Sequence, residues 1–355
     1  MDQHTRVVSD TDATRPPAAT VDTNPLVSII IPCYNGEEFV QEAIMSALAQ
    51  SYPRVEVLVV DDGSTDRSAE IARAFPIRYL YQKNRGLTAS RNRGIQESRG
   101  AYLIFLDADD RLLPEAVEAG LNVLQPRAEC AMAIGDHLFI CEDGSYLANS
   151  RKPCMGAAHY EALLISNFIE MISSVLFRRS VFDDVGGFDP ELRVAEDYEL
   201  YLRIAREFPL CCHSRVVAEY RQHRSNVSHN SELMLTMTLQ VLKRQARYIF
   251  NDVRRLSAYL EGLRTWRRQY GRQLTSELAR SFSTAQLSDL RRKMLVLADH
   301  YPQGLAVLLL LRIMPRLGAR GMATGSNDAT GETPLLQTLH AYLYASKPPS
   351  APQIS

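Results

Sequence analysis

Short runs of apolar residues, each followed by polar or acidic residues, divide the first 110 residues of the chain. The runs lie at residues 26–31, 55–60 and 102–106, and residues 77–82 alternate between apolar and polar positions. Runs of this length are typical of strands, and the continuous ones indicate burial on both faces of a parallel sheet. Between them, apolar residues recur at helical spacing in residues 37–50 and 87–97. This order predicts an α/β fold with a doubly wound sheet.

The apolar run at residues 102–106 leads directly into Asp107, Asp109 and Asp110. Open α/β sheets bind their ligands at the carboxyl ends of strands, so these acids are candidate site residues. On an extended backbone, Asp107 and Asp109 point to the same side. Two neighbouring carboxylates predict a hard divalent cation, Mn²⁺ or Mg²⁺, because such ions prefer oxygen ligands. The alternative is a solvated acidic turn before the next helix.

Three more groups of charged residues lie where predicted elements begin or end. They are Asp61 and Asp62 after strand 55–60, Glu196 and Asp197 at the start of a helix over residues 196–208, and His223 after a strand at residues 216–220. Each has a simpler explanation, since acids stabilise helix starts and a histidine after a strand can be a surface or capping residue. The recurrence of such residues at element ends favours one shared site.

The C-terminal third is basic, although the formal net charge of the chain is only −1. Residues 243–320 contain 16 Lys or Arg and five Asp or Glu. The apolar stripe in residues 240–263 predicts a helix that packs on the rest of the protein. The positive charge and the apolar segment at residues 304–317 offer the alternative of contact with anionic membrane lipid. Nucleic-acid binding is not expected, because no nucleic-acid motif accompanies the charge.

The six cysteines include no Cys-x-x-Cys pair, so neither a zinc site nor a disulfide framework is expected. This indicates a reducing compartment. Residues 1–25 lack the apolar segment of a signal peptide and are expected to form a disordered tail. The longest apolar run, residues 305–311, is far shorter than the ~20 residues that cross a bilayer. We expect a cytoplasmic protein, and the alternative is a peripheral position on the cytoplasmic face of the membrane.

From about residue 27 to residue 229 the chain resembles the family-2 glycosyltransferases. The matching motifs, in order, are SIIIPCYN at residues 28–35, VVDDGSTD at 59–66, NRG at 84–86, ASRN at 89–92, FLDADD at 105–110, GFD at 187–189, EDYEL at 196–200 and YRQH at 220–223. The resemblance implies a GT-A fold, with a mixed, mostly parallel sheet flanked by helices. The expected parts are a tail at residues 1–25, a catalytic domain at 26–230, a basic helical extension at 231–321 and a loose tail at 322–355.

The resemblance also implies roles for individual residues. Asp62 would accept a hydrogen bond from a nucleobase imide, which favours uracil or thymine over bases that lack this N–H. Further contacts to the nucleotide are expected from Pro32, Tyr34, Asn84, Arg91 and Asp107. The metal ion is expected at Asp109, with His223 as a further metal or diphosphate contact. Asp197 would be the general base, and Glu196 would orient it or contact the acceptor.

The implied reaction is sugar transfer with inversion, from a nucleotide-diphospho-sugar, here a UDP-sugar, to a hydroxyl of a saccharide, glycolipid or protein in glycan or cell-envelope synthesis. One alternative is a sugar-phosphate nucleotidyltransferase, which would carry a Gly-rich loop where residues 32–36 stand. Motifs of dehydrogenases and P-loop NTPases are absent. A non-catalytic nucleotide-sugar-binding scaffold is the remaining alternative, and Asp197 argues against it because a binder needs no base.

Overall fold

The computed structural model describes residues 24–150, 158–223, 226–281 and 286–308. The expected tail at residues 322–355 and nearly all of the tail at 1–25 lie outside these ranges, as does most of the apolar segment at 304–317. The strands are β1 Val27–Cys33, β2 Val55–Asp61, β3 Arg78–Tyr81, β4 Tyr102–Phe105, β5 Arg111–Leu112, β6 Met132–Cys141, β7 Tyr146–Asn149, β8 Val175–Arg178 and β9 Cys211–Gln222.

Ten α-helices, three short 3₁₀ turns and a further helical segment at residues 302–308 accompany the strands in these ranges. The α-helices are α1 Val40–Leu48, α2 Ser68–Arg73, α3 Leu87–Glu97, α4 Ala116–Leu124, α5 His159–Ile165, α6 Val181–Val185, α7 Glu196–Glu207, α8 Ser231–Gln245, α9 Val253–Ser281 and α10 Leu287–His300. The predicted alternation of strands and helices in the first 110 residues is therefore confirmed.

All nine strands of the described ranges belong to one sheet, in the order β3-β2-β1-β4-β8-β6-β9-β5, with β7 beside β6. β3, β2, β1 and β4 run parallel. β8 is antiparallel to both β4 and β6, whereas β9 runs parallel to β6. The chain passes from one side of β1 to the other between β3 and β4, so a switch point lies at the carboxyl ends of β1 and β4. The acidic residues after β4 are placed at this point.

The parallel strands are buried because helices cover both faces of the sheet. Every residue of β1 and β4 is buried. Successive side chains point to opposite faces, so Ile30 and Phe105 join one apolar cluster while Ile29 and Ile104 join the other. The first cluster receives α5, α7, α8 and α9, and the second receives α1 and α4.

Helices α8 and α9 share the core of the sheet domain. Leu239 and Leu242 of α8 and Trp266 of α9 belong to the same cluster as Phe105. The prediction that the stripe in residues 240–263 packs on the rest of the protein is confirmed for most of its members, but Leu260 is 44% exposed. The division of the chain at residue 230 stays a prediction.

The boundaries of these helices differ from the sequence-based prediction in two places. A single helix was expected over residues 240–263, but α8 ends at Gln245 and α9 begins at Val253. A break was expected near Gly271, yet α9 continues to Ser281. The glycine serves a close approach, since a Cβ at Gly271 would lie 2.4 Å from Cγ of Tyr301.

The expectation of no disulfide is wrong. Cys130 and Cys211 form a disulfide with a Cα–Cα distance of 6.2 Å. Cys130 lies just before β6 and Cys211 begins β9, and these strands are neighbours in parallel register. The pairing spans 81 residues of sequence, so the spacing of the cysteines carries no signal for it. Among the described residues, no helix combines the length and the apolar character needed to cross a membrane.

Candidate active site

The acids after β4 lie in a turn rather than on an extended backbone. β4 ends at Phe105, and the N–H of Asp110 donates to the carbonyl oxygen of Asp107 at 3.1 Å. The expectation of an extended backbone through Asp107 and Asp109 is therefore wrong. The two carboxylates contact different partners: Asp107 contacts Arg91, and Asp109 contacts His223.

Arg91 of α3 joins two of the predicted site acids. Its guanidinium donates to Oδ1 of Asp107 at 2.6 Å and to Oε1 of Glu196 at 2.5 Å, and its side chain is only 2% exposed. Burial alone would lower the pKa of Arg91, but the charges of Asp107 and Glu196 raise it above its usual value. The residue predicted to contact the nucleotide is thus the bridge between the end of β4 and the start of α7.

Asp197 occupies the first turn of α7, directly after Glu196. Its Oδ1 accepts a hydrogen bond from the backbone N–H of Tyr198 at 2.7 Å. Burial and the neighbouring carboxylate of Glu196 raise the pKa of Asp197 to about 7, although Arg91 opposes the shift. A carboxyl group with this pKa is suited to accept a proton near neutral pH. The helix begins after Ala195, whose φ of 58° is left-handed and unfavourable for a residue with a Cβ.

Asp109 and His223 form the second pair at the same edge. Nε2 of His223 lies 2.8 Å from Oδ2 of Asp109. Burial and the charge of Asp107 raise the pKa of Asp109, and the contact with His223 opposes this.

Sequence reasoning missed Arg221 and Ser173 and gave no role to Asp110, although these three residues hold this turn in place. Arg221 is 1% exposed. Its side-chain Nε donates to the carbonyl oxygen of Asp109 at 2.9 Å, and its backbone N–H donates to Oδ1 of Asp110 at 3.0 Å. The hydroxyl of Ser173 lies 3.3 Å from Oδ2 of Asp110 and accepts from the N–H of Asp107 at 3.2 Å. The only sequence signal was the position of Arg221 in the YRQH motif, two residues before His223.

Asp62 fastens the loop of residues 82–86 to the end of β2. Its Oδ1 accepts from Nε2 of Gln82 at 2.7 Å and from the N–H of Arg85 at 2.9 Å, and its Oδ2 accepts from the N–H of Gly86 at 2.7 Å. A carboxylate has about four acceptor positions, so these bonds leave room for one more donor. Gly63, with φ of 81°, permits the turn, and a Cβ there would lie 2.9 Å from the N of Asn84.

The remaining predicted residues lie near this loop and the end of β1. Pro32 is a buried residue of β1, and Tyr34, immediately after the strand, is 54% exposed. The N–H of Asp62 donates to the carbonyl oxygen of Cys33 at 2.8 Å, which brings the ends of β1 and β2 together. Asn84 is exposed on the fastened loop. The structure thus gathers the predicted residues along one edge of the sheet, while their contacts with a ligand stay predictions.

The donor set at Asp109 and His223 fits a divalent cation that arrives with a substrate phosphate. Such ions are commonly held by one or two protein carboxylates together with phosphate oxygens and water. Within the described ranges no three His, Cys, Asp or Glu side chains converge as a complete metal site. The pair supplies one carboxylate and one imidazole, and a bound cation would lower the pKa of Asp109, which burial and the charge of Asp107 raise.

Known proteins share a large part of this sequence. The family model described as "Glycosyl transferase family 2" matches residues 28–186. A Rickettsia prowazekii protein named as an uncharacterised glycosyltransferase is 32% identical over 219 residues, which cover 59% of this chain and 67% of the relative. The chain belongs to glycosyltransferase family 2. It is therefore a glycosyltransferase, and the nucleotidyltransferase alternative is excluded.

Two other relatives have more specific names. The Escherichia coli chondroitin synthase is 29% identical, and the match covers 56% of this chain but 30% of the relative. A putative teichuronic acid biosynthesis glycosyltransferase of Bacillus subtilis is 28% identical, with 58% of this chain and 82% of the relative covered. For several relatives the chain spans about a third of their length.

Solved structures show that the fold of this glycosyltransferase is GT-A. S. aureus TarS residues 1–349 in complex with UDP matches with a TM-score of 0.57 at 18% identity, over 90% of this chain and 88% of that one. The mannosyltransferase PcManGT from Pyrobaculum calidifontis, in complex with GDP-Man and Mn²⁺, matches with a TM-score of 0.53 at 17% identity, over 79% and 82%. The predicted mixed sheet with a helical C-terminal region is confirmed.

Proposed function

We propose that this glycosyltransferase moves a sugar from a UDP-sugar to an acceptor hydroxyl with inversion, and that Asp197 is the general base. The observation that carries the proposal is the position of Asp197 at the start of α7, beside Glu196, which Arg91 connects to the turn after β4. The pKa of Asp197, which burial and the charge of Glu196 raise to about 7, supports it. An acceptor hydroxyl is a poor nucleophile until a base takes its proton. Inversion by a single displacement needs no nucleophile from the protein.

The remaining roles are proposed for Asp109, His223 and Arg91. Asp109 and His223 would hold a divalent cation, Mn²⁺ or Mg²⁺, which as a Lewis acid offsets charge on the departing diphosphate. Arg91 holds the carboxylates of Asp107 and Glu196 through direct ion pairs. The Mn²⁺ in PcManGT supports this assignment by analogy of fold.

The donor proposal rests on Asp62. The remaining acceptor position on its carboxylate suits the imide N–H of uracil, and the exposed ring of Tyr34 lies at the adjacent strand end. TarS, which shares the fold, was solved with UDP and with UDP-GlcNAc. The acceptor is proposed to be a hydroxyl of a cell-envelope glycan or glycolipid, in line with the names of the E. coli and B. subtilis relatives.

A thermal-shift panel of UDP- and GDP-sugars, with and without Mn²⁺, tests the donor and the cation together. We expect a UDP-sugar with Mn²⁺ to raise the melting temperature more than either alone, because a ligand stabilises the state that binds it. Asp109→Asn should remove the Mn²⁺-dependent part of the shift, because it weakens the proposed cation site. Glu118→Gln, on α4, is the control and should behave as wild type.

A GDP-sugar that stabilises more than its UDP counterpart would contradict the uracil assignment. An unchanged Mn²⁺ effect in Asp109→Asn would contradict the cation site. Release of UDP on addition of an acceptor separates an enzyme from a binding scaffold, since a scaffold would show the thermal shift without turnover.

We also propose that the connection between α8 and α9 contacts anionic membrane lipid. Phe250 and Val253 are 72% and 84% exposed, and the exposed Arg247 and Arg254 flank them. The ring of Tyr248 lies beneath the guanidinium of Arg206 at 3.7 Å, which adds another cation to this tip. Exposed apolar side chains among cations are suited to the boundary between lipid headgroups and acyl chains.

The double substitution Phe250→Ser/Val253→Ser is expected to weaken binding to vesicles that contain phosphatidylglycerol by about tenfold or more, because it removes the side chains that enter the lipid. Cosedimentation at low salt measures this. The control is Tyr146→Ser/Leu147→Ser, which removes two exposed apolar residues from β7. Equal binding of both variants, or equal binding to neutral phosphatidylcholine vesicles, would contradict the proposal.

A further inference from the structure

Helix α9, in the C-terminal region, contacts Tyr198, the residue that follows the proposed base Asp197. Trp266 of α9 is 5% exposed, and its Nε1 donates to the hydroxyl of Tyr198 at 3.4 Å. The centroids of the two rings lie 5.6 Å apart. Tyr198 is bonded directly to Asp197 in the chain. Helix α9 therefore packs against the start of α7, and both helices lie beyond the residues 28–186 that the family model matches.

Tyr198 is held at its ring and contacts the base through its backbone. Its hydroxyl donates to the carbonyl oxygen of Leu163 in α5 at 2.6 Å, and its N–H donates to Oδ1 of Asp197 at 2.7 Å. A displacement of the ring would therefore move the donor that orients the Asp197 carboxylate. The left-handed backbone at Ala195 makes this helix start costly to form, so neighbouring contacts are needed to keep it in place.

Tyr270 extends this contact along α9. Its ring stacks on Trp266 with a centroid distance of 5.5 Å and an angle of 6° between the planes. Residues four apart lie on the same face of a helix, so both rings face α7. Burial and the charge of Asp197 raise the pKa of the Tyr270 phenol, which places this residue within the electrostatic range of the base.

We propose that Trp266 is a positioning residue for Asp197: through Tyr198 it fixes the orientation in which the carboxylate accepts the acceptor proton. The proposal rests on the proposed function, because it takes Asp197 as the base. If Trp266 only packed the core, its substitution would lower stability and leave the rate and pH profile of transfer unchanged.

Fluorescence tests the coupling without knowledge of the substrate. Trp266 is the single tryptophan of the chain, so indole emission reports on this site alone. We expect the emission of the full-length protein to change with a midpoint near pH 7, and Asp197→Asn to abolish that transition. The groups that face Asp197 are Glu196, Arg91, Asp107, Tyr201 and Tyr270. Emission that does not change over this range, or a transition that persists in Asp197→Asn, would overturn the proposal.

Kinetics tests the positioning. Trp266→Phe keeps a ring but loses the N–H donor, and we expect kcat to fall about 2- to 10-fold, as for one hydrogen bond. Trp266→Leu also loses the ring, and we expect a fall of about 10- to 100-fold through misplacement of the base. In both variants the KM for the donor should stay within about twofold of wild type, and the pH profile of kcat/KM should shift. Tyr259→Phe, which removes a hydroxyl from the same helix, is the control.

The outcomes separate this proposal from the proposed function. If Asp197→Asn retains transfer, the base assignment fails. If Asp197→Asn loses transfer while both Trp266 variants keep wild-type kcat and pH profile, only the positioning role fails. Equal losses in kcat and donor affinity in both Trp266 variants would indicate general loosening of the fold and would also overturn it. If Trp266→Leu does not fold, Trp266→Phe decides between these outcomes.

Discussion

Asp197→Asn is expected to lower the rate of glycosyl transfer by about 100- to 10,000-fold, the range that one general base contributes. The substitution keeps the shape of the side chain and the hydrogen bond from Tyr198, but it removes the proton acceptor. Because Asp109, His223 and Asp62 are untouched, the affinity for the donor should stay close to wild type. Transfer rates and calorimetric titration with the UDP-sugar measure the two quantities separately.

In the wild-type enzyme, kcat/KM should rise with pH through an inflection near 7, because the carboxylate must be deprotonated to act and its pKa is raised to about 7. The matched control is Asp184→Asn, an acid on α6. A similar loss of rate and donor affinity in Asp197→Asn would contradict the base assignment, as would a profile that is flat through neutral pH.

Arg91→Met is expected to lower the free energy of unfolding by about 3–5 kcal/mol, the usual cost of removing one partner from a buried ion pair. The substitution keeps most of the side-chain length but leaves Asp107 and Glu196 without their shared cation. Since the Arg91 side chain is 2% exposed, water does not replace the lost partner easily. Urea denaturation, monitored by circular dichroism, measures the change.

The comparison that isolates burial is Arg67→Met. Arg67 forms an ion pair with Glu70 on the surface, where both side chains are 69% exposed, and such pairs contribute little to stability. We expect Arg67→Met to unfold close to wild type. A loss below about 1 kcal/mol in Arg91→Met would show that the bridge does not hold the site together.

The first strands, and their order along the chain, were predictable because burial on both faces of the sheet produces continuous apolar runs in the sequence. Continuous apolar runs marked β1, β2 and β4, and parallel pairing followed from the helices between them. The same patterns missed β5 and β7, which are short strands of two and four residues. Their pairing is decided by neighbours that are distant in sequence, so local periodicity carries no signal for it.

The candidate site was predictable as a set of residues but not as a set of contacts. The motif positions located Asp107, Asp109, Glu196 and Asp197 at element ends. Nothing in the local pattern shows that Arg91 joins Glu196, since the two are 105 residues apart. The acidic turn after β4 was offered only as an alternative, and its contacts were missed for a related reason: it is held by Arg221, 112 residues beyond Asp109.

The loop that Asp62 fastens has a consequence for the kinetics of ligand capture. Three hydrogen bonds to the carboxylate of Asp62 hold residues 82–86 against the end of β2. We therefore expect this loop to change little when a nucleotide binds, so that ordering of its backbone would cost little binding free energy. We accordingly expect fast, single-step association, whose rate is set by diffusion and charge rather than by rearrangement of the loop.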